Sequence, residues 1–219
     1  PSAEDESVIR LENNKPYWIT GGFGALGLQA MYKLIDLGVT SIVLLGRSAP
    51  SASAQEQIEC YRAKGVDIQF HSVDLSSEAD VAALFAELPL PGGIVHSAGV
   101  LHDERIDDIK LSSFTDVFAA KAQGAHYLLE EVIQRQLQLE CFVAFSSIVT
   151  VLGNEGQVSY GMANAYLDGL RLYARSHQVP MQVINWGAWA GEGMAAKLVS
   201  QKAQSAITAI PLHDGMEAL

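Results

Sequence analysis

The chain has 219 residues, 49% hydrophobic and 18% charged, which suits one sizeable buried core and excludes a disordered or fibrous polypeptide. Its formal net charge of −11 would repel a phosphate backbone, and no basic run breaks that balance, so nucleic acid is set aside. No apolar run approaches the roughly 20 residues of a membrane span, neither cysteine has CxxC spacing, and the histidines lack paired metal-ligand spacing; no membrane, no metal and a cytoplasmic location are expected.

Residues 1–15 are polar and acidic, and Pro1 to Ser7 have linker composition, so the chain is expected to begin in a linker, with a single domain over 16–219. Short apolar runs then alternate with amphipathic stretches. The strand candidates are Tyr17–Thr20, Ser41–Leu45, Ile68–Val73, Gly93–His96, Cys141–Ser146 and Gln182–Asn185. Between them, helical periodicity covers Ala25–Leu37, Ala52–Lys64, Glu78–Leu88, Phe114–Ala122, Gly124–Leu137 and Tyr160–Ser176. Most of the strands are continuously apolar, as strands covered on both faces must be, which predicts an α/β fold with a parallel sheet between two helix layers. Gly38, Gly65 and Pro89-Leu90-Pro91 mark helix ends, and Asp74-Leu75-Ser76-Ser77 offers caps for the next helix. The last stretch, Lys197–Leu219, is weakly patterned: either a lid over a site followed by a partial helix, or a connecting segment.

Two segments carry chemistry. Thr20-Gly21-Gly22-Phe23-Gly24-Ala25-Leu26-Gly27 follows a predicted strand and opens a predicted helix, with GxGxxG at Gly22, Gly24 and Gly27. Such a turn lets the backbone approach a pyrophosphate at a helix N-terminus; the alternative is a tight turn with no ligand. After the second strand, where an acid would bind unphosphorylated ribose, stand Gly46, Arg47 and Ser48. The guanidinium fork of Arg47 suits a 2′-phosphate and predicts NADPH, unless it is a plain surface arginine. Asp74 and Leu75 lie where an adenine edge could be met, although Asp74 could equally be a helix cap.

The other segment places Ser146 and Ser147 at a strand end, with Tyr160 thirteen residues beyond Ser147. Reducing a carbonyl builds negative charge on oxygen and calls for a proton donor and hydrogen-bond donors. A phenol of ordinary pKa about 10 is a poor acid, but an ammonium about 4 Å away supplies roughly 4 kcal/mol at an effective dielectric near 20, or about three pKa units. Spacing leaves Lys110 and Lys121 both open as that cation.

The motifs TGGFGALG, LLGRSAP, VDLSS, HSAGV, KAQGAHYLLE, FSSIVTVLGNEGQVSYGMANAYLDGL and NWGAWAGEGMA together resemble the short-chain dehydrogenase/reductase superfamily. The closer resemblance is to the catalytic half of ketoreductase domains from modular polyketide synthases. That resemblance implies a Rossmann-type doubly wound sheet and NADPH-dependent reduction of a 3-ketoacyl chain tethered through phosphopantetheine to acyl carrier protein. Other domains of the same synthase are implied partners, among them a ketoreductase structural subdomain.

In most of the superfamily a lysine follows the tyrosine by four residues; here Asn164 stands there. In the polyketide ketoreductases the two are exchanged, so the resemblance makes Lys121 the cation, Tyr160 the proton donor, Ser147 the carbonyl-holding hydroxyl and Asn164 the supporting group. It also sets Ser97, Ala98 and Gly99 beside the nicotinamide ribose and Trp186 in the nicotinamide wall. Product configuration is implied by analogy. Relatives giving the D-hydroxyl carry Leu-Asp-Asp after AGV, and those giving the L-hydroxyl carry tryptophan five residues after the serine. Leu101-His102-Asp103 keeps the last aspartate and Leu152 replaces the tryptophan, which favours the D (B-type) product. The rival readings are a stand-alone dehydrogenase of free small ketones or alcohols and a catalytically silent cofactor-binding structural domain.

Overall fold

The computed structural model describes Leu11, residues 14–190, residues 209–217 and Leu219. Six parallel strands form one sheet in the order β3-β2-β1-β4-β5-β6: β1 Tyr17–Thr20, β2 Ser41–Gly46, β3 Asp67–Ser72, β4 Gly93–His96, β5 Cys141–Ser147 and β6 Met181–Trp186. The order reverses at β1, where the chain crosses to β4. In such sheets ligands bind at the carboxyl ends of the strands flanking this switch.

The strands alternate in which face they bury. Trp18, Val43, Leu45, Ile94, Phe142 and Ala144 point into one apolar cluster, whereas Tyr17, Ile19, Ile42, Leu44, Val95 and Phe145 point into the other. Helices α3 (Glu78–Glu87), α5 (Gly124–Gln134) and α7 (Val158–Ser176) cover the first cluster; α1 (Ala25–Asp36) and α2 (Ala52–Arg62) cover the second. The inner strands are thereby covered on both faces, which explains their apolar runs, whereas the edge strand β3 keeps Asp67, Gln69 and Ser72 exposed. The doubly wound α/β/α fold is the one expected from the sequence. Caps define two of the helices: Ser51 Oγ accepts from Ala54 N–H at 3.2 Å and Ser77 Oγ from Asp80 N–H at 3.2 Å.

Two local features differ from expectation. Helix α4 begins at Leu111 rather than Phe114 and runs through a π-helical turn, Ala119–Gln123, straight into α5. A helical turn, α6 (Val149–Leu152), follows β5. Of the weakly patterned Lys197–Leu219, the described part forms helix α8 (Leu212–Glu217), which packs on α1. Main-chain bonds pair Ile210 with Ala188 and Ala190, and Gly215 packs against the Trp189 ring, holding this segment to the exit of β6. The rest of the expected lid, and all of the expected linker except Leu11, Asn14 and Lys15, lie outside the described residues.

Candidate active site

The glycine turn leaves β1 at the switch point. Gly21 has φ +63°, and a Cβ there would lie 2.9 Å from the Ala98 backbone; a Cβ on Gly27 would lie 2.3 Å from the Gly21 carbonyl oxygen. A side chain at either position would fill the concavity, so turn, helix α1 and the end of β4 meet backbone to backbone. Gly24 is exposed at the N-cap of α1 with no side-chain cap, so the first N–H groups of the helix are left to a ligand or water. This cradle fits a dinucleotide pyrophosphate. Phe23 turns away, edge-on to Phe70 at 4.6 Å between centroids, while Ala25 and Leu26 open α1.

Arg47 and Ser48 are exposed just past β2. The Asp74 carboxyl is held below its usual range, chiefly by the Ser76 hydroxyl, then by the Ser76 N–H, with the Arg47 charge also lowering it. Ser76 N–H and Oγ–H donate to Asp74 Oδ1 at 3.0 and 2.7 Å, so Asp74 shapes its own turn and Ser77 is the cap. Leu75 is buried against Gly124 and lies in the core. Past β4, Ser97 Oγ–H donates to the Thr20 carbonyl at 2.6 Å, binding this loop to the glycine turn.

Lys121 and Tyr160 converge. The lysine lies in the π-helical turn, 3% exposed, and Nζ donates to the Phe145 carbonyl at 2.8 Å while standing 5.7 Å from the centre of the Tyr160 ring. Its stem passes Gly99, where a Cβ would come within 2.9 Å of Lys121 Cε. No carboxylate pairs with this ammonium among the described residues, and burial lowers its pKa from 10.5 to about 8. Two of its three N–H groups remain without a partner among the described residues. An unpaired buried cation is costly and marks a functional site more often than a structural one. Lys110, the other candidate, is exposed and lies at the N-cap of α4.

The serines divide their tasks. Ser146 Oγ–H donates to the Asn164 carbonyl at 3.3 Å and ties β5 to α7, whereas the Ser147 side chain acts on the Tyr160 phenol and lowers its pKa. Asn164 acts in the same direction; its Nδ2–H donates to the Tyr160 carbonyl at 2.8 Å, and its buried Oδ1 has no partner among the described residues. Burial, the largest influence, raises the phenol, and the Asp103 carboxylate adds to it, so Tyr160 lies above its ordinary value. The expected lowering by a lysine 4 Å away is therefore not the net state of this site: Nζ is drawn to the Phe145 carbonyl, and burial outweighs the hydrogen bonds.

Gln157 went unnoticed in the sequence. It is buried, donates to Asp103 Oδ1 at 3.1 Å and accepts from Asn154 Nδ2–H at 2.9 Å, joining the loop after β4 to the start of α7. Its position three residues before Tyr160 was the available clue. Between α6 and α7 opens a groove of about 290 Å³, lined by Val149, Gly153, Gln157, Val158 and Met162. Leu152 lies exposed on α6, at 61%. Trp186 stacks edge-on with Phe145 and against Trp189 in the α1-side core.

The model of the KR domain family matches residues 16–191. The chain belongs to the ketoreductase (KR) domain family of the short-chain dehydrogenase/reductase superfamily. It is 36% identical over 82% of its length to polyketide synthase GfsB of Streptomyces halstedii, and 34% identical over 90% to the spectinabilin polyketide synthase system protein NorB of Streptomyces orinoci. It spans about 3% and 10% of those proteins, so it corresponds to one domain of each. All of the chain superposes on 47% of a solved A-type ketoreductase from a modular polyketide synthase, with TM-score 0.89 and 31% identity. KR domains of this fold bind a nicotinamide cofactor.

Proposed function

We propose that this KR domain reduces a 3-ketoacyl thioester, carried on acyl carrier protein through phosphopantetheine, to the D-3-hydroxyacyl thioester during polyketide chain extension, with NADPH as reductant. The observation that carries this reading is the buried Lys121 ammonium, without a carboxylate partner among the described residues, beside the Tyr160 ring and next to a glycine turn in which Gly21 and Gly27 abut backbone. What the bound nucleotide supplies is a hydride for the carbonyl carbon. The Ser147 hydroxyl holds the carbonyl oxygen, and the Tyr160 phenol gives that oxygen its proton as negative charge builds. Lys121 holds its positive charge where the phenolate is left, and Asn164 holds the Tyr160 main chain and the strand end in register. Water is kept from the ammonium by the Gly99 loop and β5.

Arg47, with its charge felt at Asp74, is the group proposed for the 2′-phosphate, and Ser48 lies beside it. Thr20 to Gly27 take the pyrophosphate, the turn that carries Asp74 borders the adenine with Leu75 packed beneath it in the core, and Ser97, Ala98 and Gly99 border the nicotinamide ribose, with Trp186 behind the nicotinamide. The groove between α6 and α7 is suited to an acyl chain. The D configuration is favoured by Asp103, fixed through Gln157, and by Leu152 leaving the α6 side open. The A-type structure superposes at the level of fold and does not transfer its stereochemistry.

A second reading, a nucleotide-binding domain without turnover, is favoured by one observation: burial raises rather than lowers the Tyr160 phenol. The test is NADPH consumption by the full-length polypeptide with 3-ketobutanoyl pantetheine, followed by chiral analysis. Turnover to the D alcohol supports the proposal, and an L product overturns its stereochemical part. Tight NADPH binding without turnover supports the second reading, and preference for a free ketone points to a stand-alone dehydrogenase.

A further inference from the structure

His96 ends β4, wholly buried, and no step of the proposed reaction uses it. Its Nε2 lies 2.8 Å from the carbonyl oxygen of Lys121, and its Nδ1 lies 2.9 Å from Thr20 Oγ1. A carbonyl can only accept, so Nε2 carries the proton. Nδ1 then accepts from the Thr20 hydroxyl, whose oxygen in turn accepts from Ala98 N–H at 3.3 Å. Every polar group in this chain of bonds has one role, and the ring is held as a single neutral tautomer.

We propose that His96 is a positioning residue for Lys121, gripping the main chain of the π-helical turn so that the ammonium is delivered beside Tyr160. The proposal rests on the reading of Lys121 as the active-site cation. An inserted π turn re-aims the residues it contains, and such turns need outside support because their bonding departs from the regular helix. Three fixed points support this one. The Lys121 carbonyl is held by His96, the stem lies in the space that Gly99 leaves empty, and the tip donates to Phe145. Gly124, the next residue after the turn, lets the turn pack closely on Leu75, whose Cβ would stand 3.0 Å from a Cβ at this position, while His96 Cε1 lies at ordinary contact distance, 3.5 Å. Through Thr20 the same ring is tied to the glycine turn, so the cradle and the cation share one support. Neutrality suits this task, since a charged imidazole would face the Lys121 ammonium, the one charged group acting on it among the described residues.

The experiment compares His96→Gln, whose amide N–H reaches the place of Nε2, with His96→Asn, which can still meet Thr20 but is too short for the Lys121 carbonyl. Both are assayed in the full-length polypeptide with NADPH and 3-ketobutanoyl pantetheine, at equal folded fraction by circular dichroism. His96→Gln keeps kcat within about 3-fold, whereas His96→Asn loses about 10-fold or more in kcat with thioester KM within about 3-fold. In a Lys121→Met background, which lowers kcat by itself, His96→Asn costs nothing further, because the two residues act as one unit. Equal kcat for the Gln and Asn variants, or an undiminished Asn effect in the Lys121→Met background, overturns the positioning role. Wild-type kcat in Lys121→Met alone instead overturns the reading of Lys121, so the two failures are distinct.

Discussion

The Lys121 ammonium donates to the main-chain carbonyl of Phe145, 24 residues away, and that bond, with the Tyr160 ring 5.7 Å from Nζ, is what it meets among the described residues in return for leaving water. Burial accordingly brings its pKa from 10.5 to about 8. The folded value lies below the unfolded one, so the unfolded chain binds the proton more tightly: the penalty is fully present below about pH 8 and is relieved as pH rises toward 10.5. Lys121→Met is therefore expected to stabilise the domain at pH 7 by roughly 2–4 kcal/mol, and to lose that advantage by pH 10.5. Urea denaturation at the two pH values checks this; equal stability of variant and parent at pH 7 contradicts it.

His96 gives the opposite limb. Burial first, then the Lys121 charge, pushes its pKa from 6.5 to about 3, so the unfolded state takes a proton that the folded state refuses. Stability contributed by the neutral ring is complete above about pH 6.5 and is lost as pH falls toward 3. Replacing it by glutamine, which does not titrate, is expected to flatten the acid limb of a stability–pH profile by roughly 3–5 kcal/mol between pH 7 and pH 3. Parallel acid limbs would mean that His96 does not stay neutral in the fold.

Gly27→Ala sets a methyl group 2.3 Å from the Gly21 carbonyl, a backbone atom that cannot step aside alone. A stability loss of about 1–3 kcal/mol is expected, together with loss of nucleotide binding because the cradle itself must shift. Fluorescence titration with NADPH measures the second effect. Unchanged affinity would detach this turn from the cofactor.

Arg47→Ala is expected to weaken NADPH by about 10-fold or more while leaving NADH within about 3-fold, since only the phosphate loses a charged partner. Equal losses for both nucleotides would remove Arg47 from the 2′-phosphate and leave it a surface partner of Asp74.

Strand and helix order was legible because most strands here are short apolar runs and the helix ends carry glycine, proline or caps, and TGGFGALG announced the tight turn between β1 and α1. The π-helical turn was not legible. Ala119-Ala120-Lys121-Ala122-Gln123 is good helix-forming sequence, and an inserted residue leaves the apolar pattern on either side intact. Val149-Thr150-Val151 favours strand by composition, yet forms a turn of helix because the sheet ends at Ser147. His96 was hidden inside the apolar run Gly93-Ile94-Val95-His96, where only the partners of a buried imidazole reveal its part. For Tyr160 the sequence gives residue type and spacing, but the sign of its shift depends on burial and on where the lysine tip is drawn, which only the fold determines.

The central claim, that Tyr160 protonates a carbonyl reduced at the expense of NADPH, is tested most directly by one kinetic comparison. NADPH consumption with 3-ketobutanoyl pantetheine is measured for the parent polypeptide and for Tyr160→Phe, with nucleotide affinity measured alongside. Loss of general-acid catalysis is expected to lower kcat by about 100-fold or more, with NADPH affinity within about 3-fold of the parent. Equal rates for the two proteins would contradict the account.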